Sequence, residues 1–157
     1  MSASLFILVN ETQNRRGVDP DSILSYQIGR FKRLFSRIFL IVDGRNKYPY
    51  LGVPVFSNKY KSSKNLGKLL TGLLHVRTHA NMFLDCNDLS MDEKKIEKFL
   101  GALGEYMAVL PLKNNMVSFA YGVISKKSLN DLKGLLSKRN HTESEILDLI
   151  NTNYINE

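Results

Sequence analysis

Cysteine is nearly absent from this chain. Cys86 is the only one in 157 residues, which excludes an internal disulfide framework and any structural zinc site built on CxxC pairs. A reducing, cytoplasmic setting is the expectation that follows. Long hydrophobic runs are missing too: apolar residues make up 43% of the chain, yet no stretch approaches the length that spans a bilayer. The opening Met1-Ser2-Ala3-Ser4-Leu5 has no basic segment ahead of its short apolar run, so no secretory signal is expected. There is no Walker loop, no Rossmann glycine fingerprint, no internal repeat and no linker-like segment. Acidic side chains are in deficit, 15 against 22 basic ones, for a formal charge of +7. That balance favours an anionic partner without choosing among a nucleotide, a nucleic acid and a membrane surface.

What is present reads as strands alternating with helices. Leu5 to Val9 and Ile38 to Val42 are continuous apolar runs of the kind that buried parallel strands show. Between them, Asp19-Pro20 opens a helix as N-cap and first-turn proline, with Leu24, Ile28, Phe31 and Phe35 at helical spacing. Leu51 to Phe56 is a short strand that Pro54 confines to an edge. Leu66, Leu69, Leu70, Leu73 and Leu74 mark an amphipathic helix in which Gly67 and Gly72 permit close backbone packing. Met82 to Leu84 is the next strand, delivering Asp85 and Asp88 where turn-forming residues begin. Ser90-Met91-Asp92-Glu93 then reads as a capping box before a helix that buries Ile96, Phe99, Leu100 and Leu103. Tyr106 to Leu110 and Val117 to Ile124 are two later strands joined around Lys113-Asn114-Asn115. A helix through Leu129, Leu132, Leu135 and Leu136, and a closing one capped at Thr142 to Glu145 and running through Ile150, complete the chain. The pattern predicts one domain over residues 1–157: a three-layer α/β/α, mainly parallel sheet with a late antiparallel hairpin.

Acids at the carboxyl end of a buried strand lie where an open α/β sheet places its ligand. Carboxylates there suit magnesium, a hard cation that takes oxygen ligands and accompanies phosphate substrates. The loop Asn10 to Gly17 adds Arg15 and Arg16, side chains capable of charge-assisted contacts to phosphate. His75 and His79, four apart, read as a surface pair at a helix end, since no glutamate follows His75 to make a metalloprotease pattern. Cys86 reads as a buried residue with no nucleophilic dyad around it. Tyrosines interleave with basic residues at Lys47-Tyr48, Tyr50 and Lys59-Tyr60-Lys61, but no RNA-binding signature accompanies them, and nucleic acid is the weaker reading.

In order, these pieces resemble the molybdenum cofactor guanylyltransferases, the MobA-type members of the nucleotide-diphospho-sugar transferase fold, a Rossmann-like class. The family opens with a strand and loop patterned LAGGxSxRMGxDK. The same frame here runs from Leu8 to Pro20, with Leu8, Arg15, Gly17 and Asp19 matching, and with Asn10 and Glu11 in place of the two glycines. Pro20 stands for the lysine. The GLPVVxDRF-like segment is matched by Gly52 to Tyr60, where Asn58 replaces an aspartate. The GPLAGILAGL helix is matched by Lys64 to Leu73, and ACDMPFL by Cys86 to Met91.

The resemblance implies transfer of GMP from GTP to molybdopterin, with pyrophosphate leaving. Asp88 would be the magnesium ligand, with Asp85 as the alternative. Arg15 and Arg16 would stabilise charge on the phosphates, and Leu8, Asn10, Arg15, Gly17 and Asn58 would form the nucleotide site. GTP and molybdopterin are then the expected partners, together with other proteins of cofactor biosynthesis. The alternative is a non-catalytic relative that binds a nucleotide, a cofactor or a protein.

Overall fold

The computed structural model describes residues 2–10, 20–44, 51–60, 64–136 and 143–157. Among the described residues the chain makes β1 (Ala3–Leu8), α1 (Pro20–Phe31), β2 (Arg37–Val42), β3 (Val55–Ser57), α2 (Lys64–His75) and β4 (Ala80–Asp85). It continues with α3 (Glu93–Gly101), β5 (Ala108–Lys113), β6 (Met116–Val117), β7 (Tyr121–Ser125), α4 (Leu129–Leu136), α5 (Glu143–Leu149) and β8 (Thr152–Asn156). No helix among the described residues is long and apolar enough to cross a membrane.

The eight strands form one sheet in the order β3-β2-β1-β4-β7-β5-β6, with β8 paired to β5. Strands β3, β2, β1 and β4 are mutually parallel. β7 runs against both β4 and β5, β6 against β5, and β8 is parallel to β5. The sheet is therefore mainly parallel, with its antiparallel pairings late in the chain. At the turn between β5 and β6, Asn114 and Asn115 take φ values of 49° and 61°. Asparagine tolerates that left-handed backbone better than most residues, which is why a tight hairpin closes here.

Strand residues alternate between two cores, giving the helix–sheet–helix layering. Leu5 and Ile7 of β1 join Leu24, Ile28 and Phe31 of α1 and Ile96 and Phe99 of α3 on one face. Phe6 and Leu8 join Leu66, Leu69, Leu70 and Leu73 of α2 and Leu132 and Leu135 of α4 on the other. The close packing expected of Gly67 and Gly72 is present. A Cβ on Gly72 would lie 2.7 Å from the Phe6 ring, and one on Gly67 would lie 2.7 Å from Asn58 Oδ1 and from Tyr60 O.

Several boundaries differ from the sequence-based expectation, each for a local reason. α1 stops at Phe31, although Phe35 remains buried beyond it. The cap of α3 is Asp92, whose Oδ1 accepts from Lys95 N at 2.8 Å; Ser90 bonds instead to Asp88. β3 is shorter than Leu51 to Phe56, though it does lie at the edge of the sheet. α2 ends at His75, so His79 sits in the connection to β4 and the two imidazoles share no helix face. β8 follows the closing helix where no strand was expected. Its polar sequence Thr-Asn-Tyr-Ile-Asn is only partly buried, leaving no apolar run to signal it.

Candidate functional site

The chain leaves β1 toward β2 and β3 on one side and returns to β4 on the other, so the boundary between β1 and β4 is the switch point of the parallel sheet. In open α/β sheets a crevice opens at this point, outside the carboxyl ends of the strands. Leu8 and Asp85 pair across it as the last partners of the two strands. Just beyond, Asn10 Nδ2 donates to Asp85 Oδ2 at 2.9 Å. Asp85 Oδ1 accepts from Asn87 N at 2.9 Å, and its carbonyl accepts from Asp88 N at 2.9 Å. The chain after β4 is thus folded tightly around the Asp85 carboxylate.

Asp88 lies in the same turn. Its Oδ1 accepts from both Ser90 N at 2.8 Å and Ser90 Oγ at 2.5 Å. Helix α1 supports the turn from behind: fully buried Gln27 donates to Asp88 O at 2.9 Å, and Arg30 donates to Met91 O. The Arg30 guanidinium also lies over the rings of Tyr26 and Phe31.

A cation lies beneath this edge. Lys68, on α2, has no exposed surface, and its Nζ donates to Val9 O at 3.0 Å and to Asn10 Oδ1. The same Nζ lies 3.0 Å from Asp43 Oδ2, just past the end of β2. Asp43, Lys68, Asn10 and Asp85 therefore make one continuous polar chain across the ends of β2, β1 and β4.

The other expected site residues fall as follows. Leu8 is buried, and its carbonyl accepts from Cys86 N at 3.0 Å. Asn58 is buried, its Oδ1 accepting from Tyr60 N at 2.9 Å in the turn that Gly67 packs against. Arg15, Arg16 and Gly17 lie outside the described residues. Cys86 is buried, and burial pushes its thiol up from the ordinary range, with the nearby Asp85 carboxylate acting the same way.

The donor set at this edge, carboxylate and carbonyl oxygen, suits a hard divalent cation. The described residues contain no cluster of three or more histidine, cysteine and acidic side chains able to hold a metal. Magnesium needs fewer, since it commonly binds through one or two carboxylates and fills its remaining positions with water and substrate phosphate. Asp85 and Asp88 fit that mode. Sequence reasoning identified both acids but missed Lys68 and Asp43. One signal was available: Lys68 is the only charged residue between Lys64 and His75, and it stands among leucines and glycines.

No family model matches the chain. A probable molybdenum cofactor guanylyltransferase from Aquifex aeolicus is 26% identical over 108 residues, covering 68% of this chain and 52% of the relative. The match spans about half the length of that curated protein. The crystal structure of molybdopterin-guanine dinucleotide biosynthesis protein A from Archaeoglobus fulgidus superposes with a TM-score of 0.77 at 9% identity, covering 98% of this chain and 83% of that one. This is the fold that a putative nucleotide-diphospho-sugar transferase also has. A Mycobacterium tuberculosis protein solved in complex with manganese shares it, with a TM-score of 0.65 at 10% identity, covering 100% of this chain and 89% of that one. The MobA resemblance seen in the sequence is thus matched by a curated relative and by a neighbour in structure.

Proposed function

We propose that the protein is a MobA-like nucleotidyltransferase that moves GMP from GTP to molybdopterin. The observation that carries this reading is the Asn10–Asp85 bridge at the switch point, with Asp88 in the adjoining turn. In its support, Asp85 and Asp88 lie at the switch-point edge, outside which open α/β sheets take their ligands. In the reaction an acceptor oxygen forms a bond to the α-phosphorus, while the bond from that phosphorus to the bridging oxygen breaks and pyrophosphate leaves.

Asp85 and Asp88 would hold magnesium, which neutralises triphosphate charge when bound. The chain's own contribution is to orient those acids: Asn10 and Asn87 fix the Asp85 carboxylate, Ser90 fixes that of Asp88, and Gln27 holds the turn that joins them. Arg15 and Arg16 would supply positive charge to the phosphates, and Gly17 backbone room beside them. Asn58 would act on the base side, through a turn whose shape depends on Gly67. A cytoplasmic setting and cooperation with other cofactor-biosynthesis proteins belong to the same reading.

Calorimetric titration with GTP, ATP and CTP, each with and without magnesium, tests it, followed by an assay of pyrophosphate release. Magnesium-dependent binding that prefers GTP, abolished by Asp88→Ala in a folded protein, is the expected result. Unchanged metal dependence in Asp88→Ala would place the metal elsewhere. A second reading, binding without transfer, is favoured by one observation: Asn10 puts an amide against Asp85, at a position where the related pattern has glycine. Tight nucleotide binding with no pyrophosphate release would select it.

A further inference from the structure

The environment of Lys68 Nζ is that of a bound cation. Among the described residues its three contacts are all oxygens: a backbone carbonyl of Val9, the side-chain amide oxygen of Asn10 and the carboxylate of Asp43. A lysine ammonium has three donors, so these contacts use its full capacity and leave none for a substrate phosphate. The side chain is fully buried, and a buried charge persists only when it is paired and hydrogen-bonded. An oxygen cage of this composition, with one carboxylate and two neutral oxygens, is also what a hard metal ion seeks.

We infer that Lys68 is a resident cation: its ammonium occupies a cation site between Val9, Asn10 and Asp43 and does the work of a metal ion there. It neutralises Asp43 and turns the Asn10 amide so that the NH2 end faces Asp85. Where Asp85 and Asp88 hold a divalent ion, a consequence that rests on the proposed function, Asp43 is withheld from that ion. The cage itself does not depend on that function, so its test uses no nucleotide.

Removing the ammonium should open the cage to a metal. Lys68→Ala leaves both the oxygens and the space, and Mn2+ alone serves as the probe, followed by thermal unfolding and by the electron-spin signal of the bound ion. Saturating Mn2+ is expected to raise the midpoint of Lys68→Ala by about 5 °C more than that of the unaltered chain. That extra gain should vanish when Asp43→Asn is added. If Lys68→Ala folds only with Mn2+ present, the inference is equally supported. Equal Mn2+ responses in the two chains would overturn it.

A measurement on the unaltered chain guards against a variant that merely misfolds. A caged ammonium exchanges its protons slowly, so the Lys68 Nζ group should give a resolved nitrogen–proton NMR signal at neutral pH. Exchange as fast as that of surface lysines would sink the assignment.

Discussion

Asn10 and Asp85 stand 75 residues apart in sequence and 2.9 Å apart in the fold, joined by a hydrogen bond across the switch point of the sheet. The same asparagine accepts from Lys68 on its other side, so a single amide is oriented by both of its ends. An ammonium can only donate and a carboxylate can only accept, so the amide cannot turn over without losing both contacts.

Asn10→Ala should therefore cost more than one hydrogen bond, because it strips an acceptor from a buried cation. About 1–3 kcal/mol is expected, read from urea unfolding. Asn10→Asp should behave differently. It keeps the contact to Lys68 but sets two carboxylates against each other, so Mn2+ should recover more stability in it than in Asn10→Ala. Equal recovery would mean that the amide does not orient Asp85.

Packing between α2 and β1 makes a sharper structural prediction. A Cβ on Gly72 would meet the buried Phe6 ring at 2.7 Å, so Gly72→Ala should destabilise by about 1–3 kcal/mol. Gly29 in α1 has nothing within 4 Å of an added Cβ, and Gly29→Ala should instead stabilise by about 0.5–1 kcal/mol. Opposite shifts of the melting midpoint are the expected outcome. A neutral Gly72→Ala would show that the ring moves aside freely.

His75 supplies a pH dependence. Its ring stacks on Phe56 with centroids 3.8 Å apart, and Nε2 has no partner among the described residues. Burial, then the charges of Lys59 and Lys126, hold its pKa below the ordinary 6.5. The folded state therefore binds a proton less readily than the unfolded state. This contribution to stability is complete above the ordinary value and is lost as pH falls from there through the folded value. Other groups titrate in the same range, so the comparison is with His75→Gln, whose melting midpoint should fall less steeply between neutral pH and pH of about 5. Parallel curves would refute it.

Cys86 should be inert. Burial raises its thiol and closes off access, so an aromatic disulfide reagent should modify the native chain far more slowly than a free thiol, with full reactivity restored in denaturant. Rapid modification of the folded protein would show that the end of β4 opens readily.

Much of the architecture was legible because buried parallel strands write themselves as apolar runs. Leu5 to Val9, Ile38 to Val42 and Met82 to Leu84 each announce a strand with no help from the rest of the chain. Asp85 and Asp88 were legible because acids directly after such a run have few places to go. Lys68 was not, since a charge on an amphipathic helix ordinarily faces water. Only the fold shows that α2 is buried almost all round at that turn, and that Asp43 comes back to meet it. β8 escaped because a partly covered edge strand needs no hydrophobic pattern; its pairing with β5 rests on backbone bonds. His79 was misplaced by counting helical spacing past the end of the helix.

The distance in sequence between Asn10 and Asp85 bears on folding kinetics. Contacts between far-separated segments carry the largest loop-closure entropy and tend to form late, after hairpins such as β5–β6 have closed. On that ground the site is expected to be among the later parts of the chain to be made, so that a ligand bridging its two sides clamps a late contact. Such a ligand should act mainly as a brake on unfolding, lengthening the life of the native state more than it speeds its formation.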